Sequence, residues 1–482
     1  MAIEWSGLSP GLLIRLDRSA GQPLRAQLEA SLREAIRSGR LRAGERLPSS
    51  RELAQQLGIS RGMVQECYGQ LLAEGYLTSR TGSATRVADV SPAAPPVARS
   101  RPEPPPPSPG RGVAELPLIA DFVPSLPDLS SFPRTDWAWA VKQACTEAAD
   151  ADLGYGDPHG SLVLREVLAG YLRRVRAAAA VPDRMIINTG FAQGINLVLR
   201  ALTRQGVTGV AFEDPGYGSE QHDETVRAVL AMGLRVAYVP VDEQGLVVGE
   251  LAASGAQVAV VTPAHQAPTG VVLSPERRQA LTDWARRGGG YVIEDDYDSE
   301  FRYDKDPVGA LQGLAPDQVF LLGTTSKALA PAVRLGWVAA PAALAAAVAA
   351  EKEMSDRGSC TLDQLALATL LTTGRYDRHL RRMRTVYAAR RAALTAAFAR
   401  HTPRARLSGL AAGFQAVAPL PPGADEAAVI AAARDRRVGL HGIREYRGDP
   451  DADAPPALVI GYGNVRERAI EPAIAAVADL LG

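Results

Sequence analysis

The chain has 482 residues, 53 Lys+Arg against 53 Asp+Glu, 46% hydrophobic and 22% charged residues, a balance that excludes a disordered polypeptide and leaves length for more than one domain. Three scattered cysteines, Cys67, Cys145 and Cys360, exclude a disulfide framework and a cysteine-rich zinc site, and no metal centre is expected. A formal net charge of zero by itself points away from nucleic acid, so the charges have to be counted by position.

No basic segment followed by an apolar core opens the chain, and the Ala-rich run 335–350 contains Pro341 and falls short of the ~20 apolar residues of a membrane span. The expected location is the cytoplasm, without a membrane partner. The first 90 residues form one block. Leu24, Leu28, Leu32 and Ile36 recur every fourth residue, which predicts a helix with one apolar stripe ending near Gly39. Ser49 and Glu52 have capping-box spacing and open a second helix, with Leu53 and Leu57 facing inward and Gly58 as its stop. Ser60 is placed to cap a third, with Val64, Tyr68, Leu71 and Leu72 on its core face and Arg61, Gly62, Gln65 and Glu66 outward. Two short helices joined by a glycine-containing turn are the helix-turn-helix arrangement, whose second helix enters the major groove. Tyr76–Thr78 and Thr85–Val87 flank Thr81-Gly82-Ser83 as a β-hairpin wing. Residues 1–90 carry 12 Arg, no Lys and 9 Asp+Glu, a net of +3, so the remainder carries −3. Arginine suits bidentate phosphate and guanine contacts. On this pattern alone, a helical interaction module with solvated arginines competes evenly with a DNA reader.

Residue identity separates the two. The run GERLPSSRELAQQLGISRGMVQECYGQLLAEGYLTSRTGSATRV resembles the GntR family of bacterial DNA-binding domains along its whole length. The resemblance implies a winged helix-turn-helix in which Arg51, Arg61, Gln65 and the wing around Gly82 contact a double-stranded DNA operator. Gly62-Met63 replaces the polar pair usual after Ser-Arg, which bears on base readout, and Ala84 replaces a second wing glycine, which bears on the tilt of the wing. Residues 91–117, including PPVARSRPEPPPPSPGRG, cannot be core and read as a semi-rigid polyproline II linker.

In residues 118–482, β-branched runs alternate with Ala-rich helical stretches: Met185–Ile187, Val207–Phe212, Val258–Thr262, Tyr291–Ile293 and Val319–Gly323. That alternation predicts a doubly wound α/β domain with a mostly parallel sheet, in which ligands sit beyond the carboxyl ends of the strands. Lys327 follows Thr324-Thr325-Ser326 and precedes Arg334 by seven residues, the elements of a reactive amine beside an anion clamp. Glu294-Asp295-Asp296-Tyr297 offers a carboxylate and a phenol, and Thr189–Gln193 offers helix N-terminal amides. Singly, each of these is more often a surface lysine, a polar turn or a tight turn; their recurrence at successive strand ends favours a site.

The motifs YGDPHG, NTGFAQG, EDPGYG, TPAHQAPTG, IEDDYDSEF and GTTSKALAPAVRLGW resemble the fold-type I aminotransferases from about residue 120 onward. The resemblance implies pyridoxal 5′-phosphate, with Lys327 as Schiff-base lysine, Asp295 on the pyridine nitrogen, Tyr297 on the ring oxygen and Tyr217 stacked on the ring. It implies a phosphate held by Thr324, Ser326, Arg334 and the amides of Gly190, Phe191, Ala192 and Gln193, with Tyr155 reaching the phosphate of a neighbouring subunit. Phe191-Ala192 replaces the small polar residues common in the phosphate loop. Ala267 stands where Asn is usual, so His265 or Gln266 is expected to supply the ring-oxygen contact. The segment Ala457–Tyr462 lacks the Arg that commonly grips a substrate α-carboxylate, leaving Arg444, Arg447 or Arg466 as replacements.

Both halves together resemble the MocR subfamily of GntR-type transcription regulators over nearly the whole chain. The resemblance implies a homodimeric regulator whose operator binding responds to pyridoxal phosphate or its adduct with an amine or amino acid, in place of catalytic turnover. The absent C-terminal Arg points to the cofactor itself as effector, as in vitamin B6 regulators of this subfamily. The competing expectation is an active aminotransferase with a DNA-binding appendage; a third, a degenerate domain without cofactor, conflicts with Lys327, Asp295, Tyr297 and Arg334.

Overall fold

In the computed structural model, which describes residues 14, 16–19, 21–79, 84–89, 117–302, 308–409 and 412–482, the leucine stripe of the N-terminal block produces α1 (Leu24–Arg37) with Leu28, Leu32 and Ile36 buried. Ser49 caps α2 (Ser50–Leu57): its side chain accepts from the Glu52 amide at 3.3 Å while Glu52 accepts from the Ser49 amide at 2.9 Å. Gly58, at φ 59°, supplies the left-handed residue that ends this helix. Ser60 caps α3 (Arg61–Ala73), whose buried face is Val64, Cys67, Tyr68 and Leu71; Cys67 takes the place in the core that the periodicity gave to Leu72. β1 (Leu77–Thr78) pairs antiparallel with β2 (Arg86–Val87), Leu77 opposite Val87. The wing tip with Gly82 lies outside the described residues.

The chain divides into two compact units, with the boundary between Glu115 and Leu116. In chain order the second unit contains β3 (Ala120–Asp121), α4 (Arg134–Glu147), α5 (Leu162–Arg176), β4 (Met185–Asn188), α6 (Phe191–Thr203), β5 (Gly209–Asp214), α7 (Glu224–Ala231), β6 (Arg235–Asp242), β7 (Gly245–Leu246), β8 (Val258–Val261), β9 (Tyr291–Asp296), β10 (Val319–Thr324), β11 (Gly336–Ala339), β12 (Gln415–Pro419), β13 (Val438–Gly439) and β14 (Ala457–Gly461), with further helices between them. One sheet has the order β4-β11-β10-β9-β8-β5-β6-β7. Neighbours from β10 to β6 run parallel, whereas β11 is antiparallel to both β10 and β4. Apolar side chains cover both faces, Phe212, Ile293 and Phe320 on one and Ala211, Val292 and Val319 on the other. Burial on two faces is why these strands read as unbroken hydrophobic runs.

The sheet differs from the sequence reading in two ways. β6, β7 and β11 are additional strands, and β9 continues through the acidic residues Glu294 to Asp296 that read as lying beyond its end. Extension of β9 is possible because Asp296 meets Arg176 at the end of α5 in a two-pronged ion pair, Nε to Oδ2 at 2.7 Å and Nη2 to Oδ1 at 3.1 Å, both side chains buried. β10 and β11 are joined by a connection that folds back on itself, the Thr325 amide donating to Leu335 O at 2.9 Å and the Leu329 amide to Thr325 O at 2.8 Å. Lys327 and Arg334 therefore occupy one closed loop. Among the described residues, no helix is long and apolar enough to cross a membrane.

Removing one member of a buried ion pair strands the other. Arg176→Ala is expected to lower the stability of the large unit by about 3–5 kcal/mol in denaturant unfolding, against about 1 kcal/mol in the small unit for Ser49→Ala. A loss below about 1 kcal/mol for Arg176→Ala would mean that Asp296 finds another partner.

Candidate functional site

In the small unit, Arg51 stands in the first turn of α2, Arg61 in the first turn of α3 and Gln65 one turn further, all exposed. Among the described residues neither arginine makes an ion pair, so both guanidinium groups are available to an anion. Glu66, on the same side of α3, is tied to Arg25 at 2.8 Å.

In the large unit the loops at the carboxyl ends of the strands enclose a pocket of about 380 Å³. Its lining brings together Gly190, Phe191, Ala192, Tyr217, Asp295, Tyr297, Thr324, Ser326, Lys327 and Arg334, with Ser125, Gly216, Asp223, Ala267 and Tyr446. Lys327 Nζ donates to Ser125 O at 2.8 Å. Burial lowers its pKa, against the opposing charges of Asp295 and Asp298, which favours the neutral, nucleophilic amine. Asp295 accepts from the Tyr217 hydroxyl at 2.6 Å through Oδ2, while its buried Oδ1 has no partner among the described residues. Burial pushes the Asp295 carboxyl up to about 7, with the Tyr217 hydrogen bond acting in the opposite direction.

One end of the pocket is built around the start of α6. Gly190 adopts φ 114°, a conformation open to glycine, and its amide donates to Asn188 Oδ1 at 2.8 Å. The first amides of a helix have no partner within it, which leaves those of Phe191 and Ala192 at the pocket wall. Thr324 Oγ1 donates to Ser326 Oγ at 2.9 Å. Arg334 lines the pocket at φ 54° and makes no ion pair among the described residues.

Several expected residues sit elsewhere. Gln193 turns away: its amide donates to Gly190 O at 3.1 Å, and its side chain spans Thr189 N, at 2.9 Å, and Asp356, at 2.7 Å. Gln266 is fully engaged, donating to Pro215 O at 2.8 Å and accepting from the Thr269 hydroxyl at 2.6 Å, so it has no group to offer a ring oxygen. His265 is buried against Asp298, Nδ1 to Oδ2 at 2.8 Å, with Nε2 unpartnered, and the Tyr297 hydroxyl donates to His265 O at 3.0 Å. Tyr217 stacks on Phe191, ring centroids 5.5 Å apart, so the apolar Phe191 is a partner for the aromatic wall as well as a lost side-chain donor. Tyr155 is 80% exposed, with Arg357 over its ring, and does not line the pocket. None of Arg444, Arg447 and Arg466 lines it either; Arg466 stands at the start of the helix Glu467–Ala476, and the nearest lining residue of the other segment is Tyr446. Sequence reasoning missed Ser125, Asp223 and Tyr446. Asp223 had a legible local signal, an acidic residue before a helix, but that signal announces only a cap.

Residues 24–87 match the bacterial regulatory proteins of the gntR family, and residues 126–443 match aminotransferase class I and II. The HTH-type pyridoxine biosynthesis transcriptional regulator PdxR of Corynebacterium glutamicum is 32% identical over 453 residues, covering 94% of this chain and 95% of that protein. The probable rhizopine catabolism regulatory protein MocR of Rhizobium meliloti is 33% identical over 399 residues, covering 81% of this chain and 80% of that one. Among solved structures, the kynurenine aminotransferase of Pyrococcus horikoshii has the same fold over 76% of this chain and 91% of its own, at a TM-score of 0.68 and 23% identity.

The pH behaviour of the pocket follows from its buried carboxyls. Asp295, at about 7, holds its proton to higher pH in the folded chain than in the unfolded one. The native state then binds the extra proton between about pH 4 and 7, so this contribution to stability is complete below about pH 4 and lost as pH rises through about 7. Asp295→Asn is expected to flatten the fall in thermal midpoint of the protein measured without added ligand between about pH 5 and 8. Tyr217→Phe, which removes the hydrogen bond to the ionised form, is expected to raise the Asp295 pKa further in a carboxyl-carbon NMR titration; a lowered value would contradict the assigned geometry.

Proposed function

The chain belongs to the gntR-family transcriptional regulators of the MocR type, in which the regulatory domain is joined to a class I and II aminotransferase domain, and on that premise we propose that it is a cytoplasmic homodimer whose operator binding is set by pyridoxal 5′-phosphate. The pocket fits that cofactor. Among the described residues, Asp295 Oδ1 is a buried acceptor without a donor, which suits a protonated pyridine nitrogen, and Arg334 is a cation without a counter-ion. In this reading Thr324, Ser326, Arg334 and the Phe191 and Ala192 amides hold the phosphate, and Tyr217 and Phe191 form the aromatic wall. Lys327 presents its amine to the aldehyde. Bound cofactor supplies an electrophilic aldehyde carbon to which a primary amine bonds with loss of water. Tyr155, exposed within one chain, is assigned to the phosphate of a second copy, and boundaries at residues 90 and 117 set off the linker that passes the state of the pocket to the DNA-binding domains.

One observation carries regulation over turnover: among the described residues, Lys327 and Arg334 are the cations lining the pocket, and no second guanidinium is there for a substrate α-carboxylate. A ligand shifts the protein between arrangements only by binding them unequally, and the cofactor alone can do so. The name of the Corynebacterium relative supports vitamin B6 synthesis as the controlled pathway.

Operator binding measured with and without pyridoxal phosphate tests this. The cofactor alone is expected to change operator affinity at least about tenfold, with an absorbance band that Lys327→Ala abolishes together with the response. A response that requires an amino acid as well would overturn the cofactor as effector. Arg61→Ala is expected to weaken operator binding by about 1–3 kcal/mol while leaving the band unchanged.

A further inference from the structure

The pocket lining holds one more charge than a pyridoxal phosphate site uses. With Lys327, Asp295 and Arg334 given to the aldehyde, the ring nitrogen and the phosphate, the charged group left over is Asp223. Its Oδ1 accepts both cap bonds of α7, from the Thr225 amide at 2.7 Å and the Val226 amide at 3.2 Å. Asp223 makes no ion pair among the described residues, and its second oxygen has no protein donor there.

The loop that carries it is held in place on both sides. The Gly216 amide donates to Tyr446 O at 2.7 Å, and the amides of His222 and Asp223 donate to Ser219 O at 3.0 and 2.9 Å. Gly218, at φ 82°, packs so tightly on the Glu445 carbonyl that a Cβ there would overlap it. Asp223 and Tyr446 are thus fixed as parts of the pocket wall beside Tyr217, whose phenol is kept protonated by burial first, then by Asp295 and by Asp223.

An α-amino acid in this pocket would bring a carboxylate toward Asp223 with no guanidinium to offset the repulsion. An ammonium group would instead meet an unpaired carboxylate, with Tyr446 close by. We propose that Asp223 makes the loaded pocket selective for primary amines that carry a second cationic group and no carboxylate, diamines being the simplest class. This inference rests on the cofactor reading above and names the ligand class of the same site. Repulsion of the wrong charge and attraction of the right one act together to set the preference.

Calorimetric titration of the cofactor-loaded, full-length protein with pentane-1,5-diamine, pentylamine and 5-aminopentanoate compares an ammonium, a methyl and a carboxylate at matched chain length. The diamine is expected to bind about tenfold tighter than pentylamine, with 5-aminopentanoate the weakest. Asp223→Asn keeps a side-chain oxygen for the helix cap and removes the charge; it is expected to bring the diamine within about twofold of pentylamine. The Lys327-dependent absorbance band, read on the same samples, reports the cofactor. An absent band would remove the cofactor reading and this inference with it. An intact band with 5-aminopentanoate bound best, or with the diamine preference unchanged in Asp223→Asn, would overturn the inference alone.

Discussion

Four carboxyl groups within five residues, Glu294, Asp295, Asp296 and Asp298, have to be housed in and just beyond a strand at the centre of the sheet, and much of the large unit is the solution to that problem. Glu294 accepts from the Leu311 and Gln312 amides, each at 3.0 Å. Asp296 takes the fork of Arg176, and Asp298 takes His265. Each of these is closed within the protein. Asp295 alone keeps a buried oxygen without a donor. A buried polar atom left unsatisfied is costly, and this one belongs to a residue that lines the pocket, where a donor from a bound molecule would complete its hydrogen bonding.

The small unit was largely legible because its signals are local. Ser49, Glu52, Gly58 and Ser60 act on backbone groups within four residues of themselves, and the structure uses them as caps and stops. The buried strands β4, β5, β8, β9 and β10 were legible for a related reason, since apolar runs need no partner to be recognised, whereas the equally buried β11 was not. The reading failed where a polar residue depends on something distant. Asp296 reads as part of a polar segment beyond the strand until Arg176, 120 residues away, pairs with it. Gln193 resembles a phosphate ligand until Asp356, 163 residues away, claims its side chain. Gln266 is claimed by Pro215, 51 residues away, and by Thr269 of its own loop. Asp223 was missed for the converse reason: a complete local explanation, helix capping, accounts for one of its oxygens and conceals the other.

The zero net charge divides along the same line as the structure. Arginines of the +3 block at Arg51 and Arg61 face solvent, where a polyanion can meet them, whereas the large unit spends its acidic excess partly inside, on carboxyls that burial raises to about 7 or 8. A charge total taken over the whole chain is therefore silent about either surface.

Arg334 carries a consequence of its own. It occupies a left-handed backbone conformation, φ 54°, where glycine or asparagine would fold with less strain, at a cost of about 1–3 kcal/mol for other residues. Folding alone would not select arginine there. The Thr325–Leu335 hydrogen bond closes the loop around it and prevents the main chain from relaxing. With the main chain beneath it already fixed, an anion that met this exposed guanidinium would have only the side-chain torsions left to order, and not the backbone as well. The strain that this residue adds to the fold and the presentation of its guanidinium at the pocket are in this way coupled through a single peptide unit, and selection acting on one will be felt in the other.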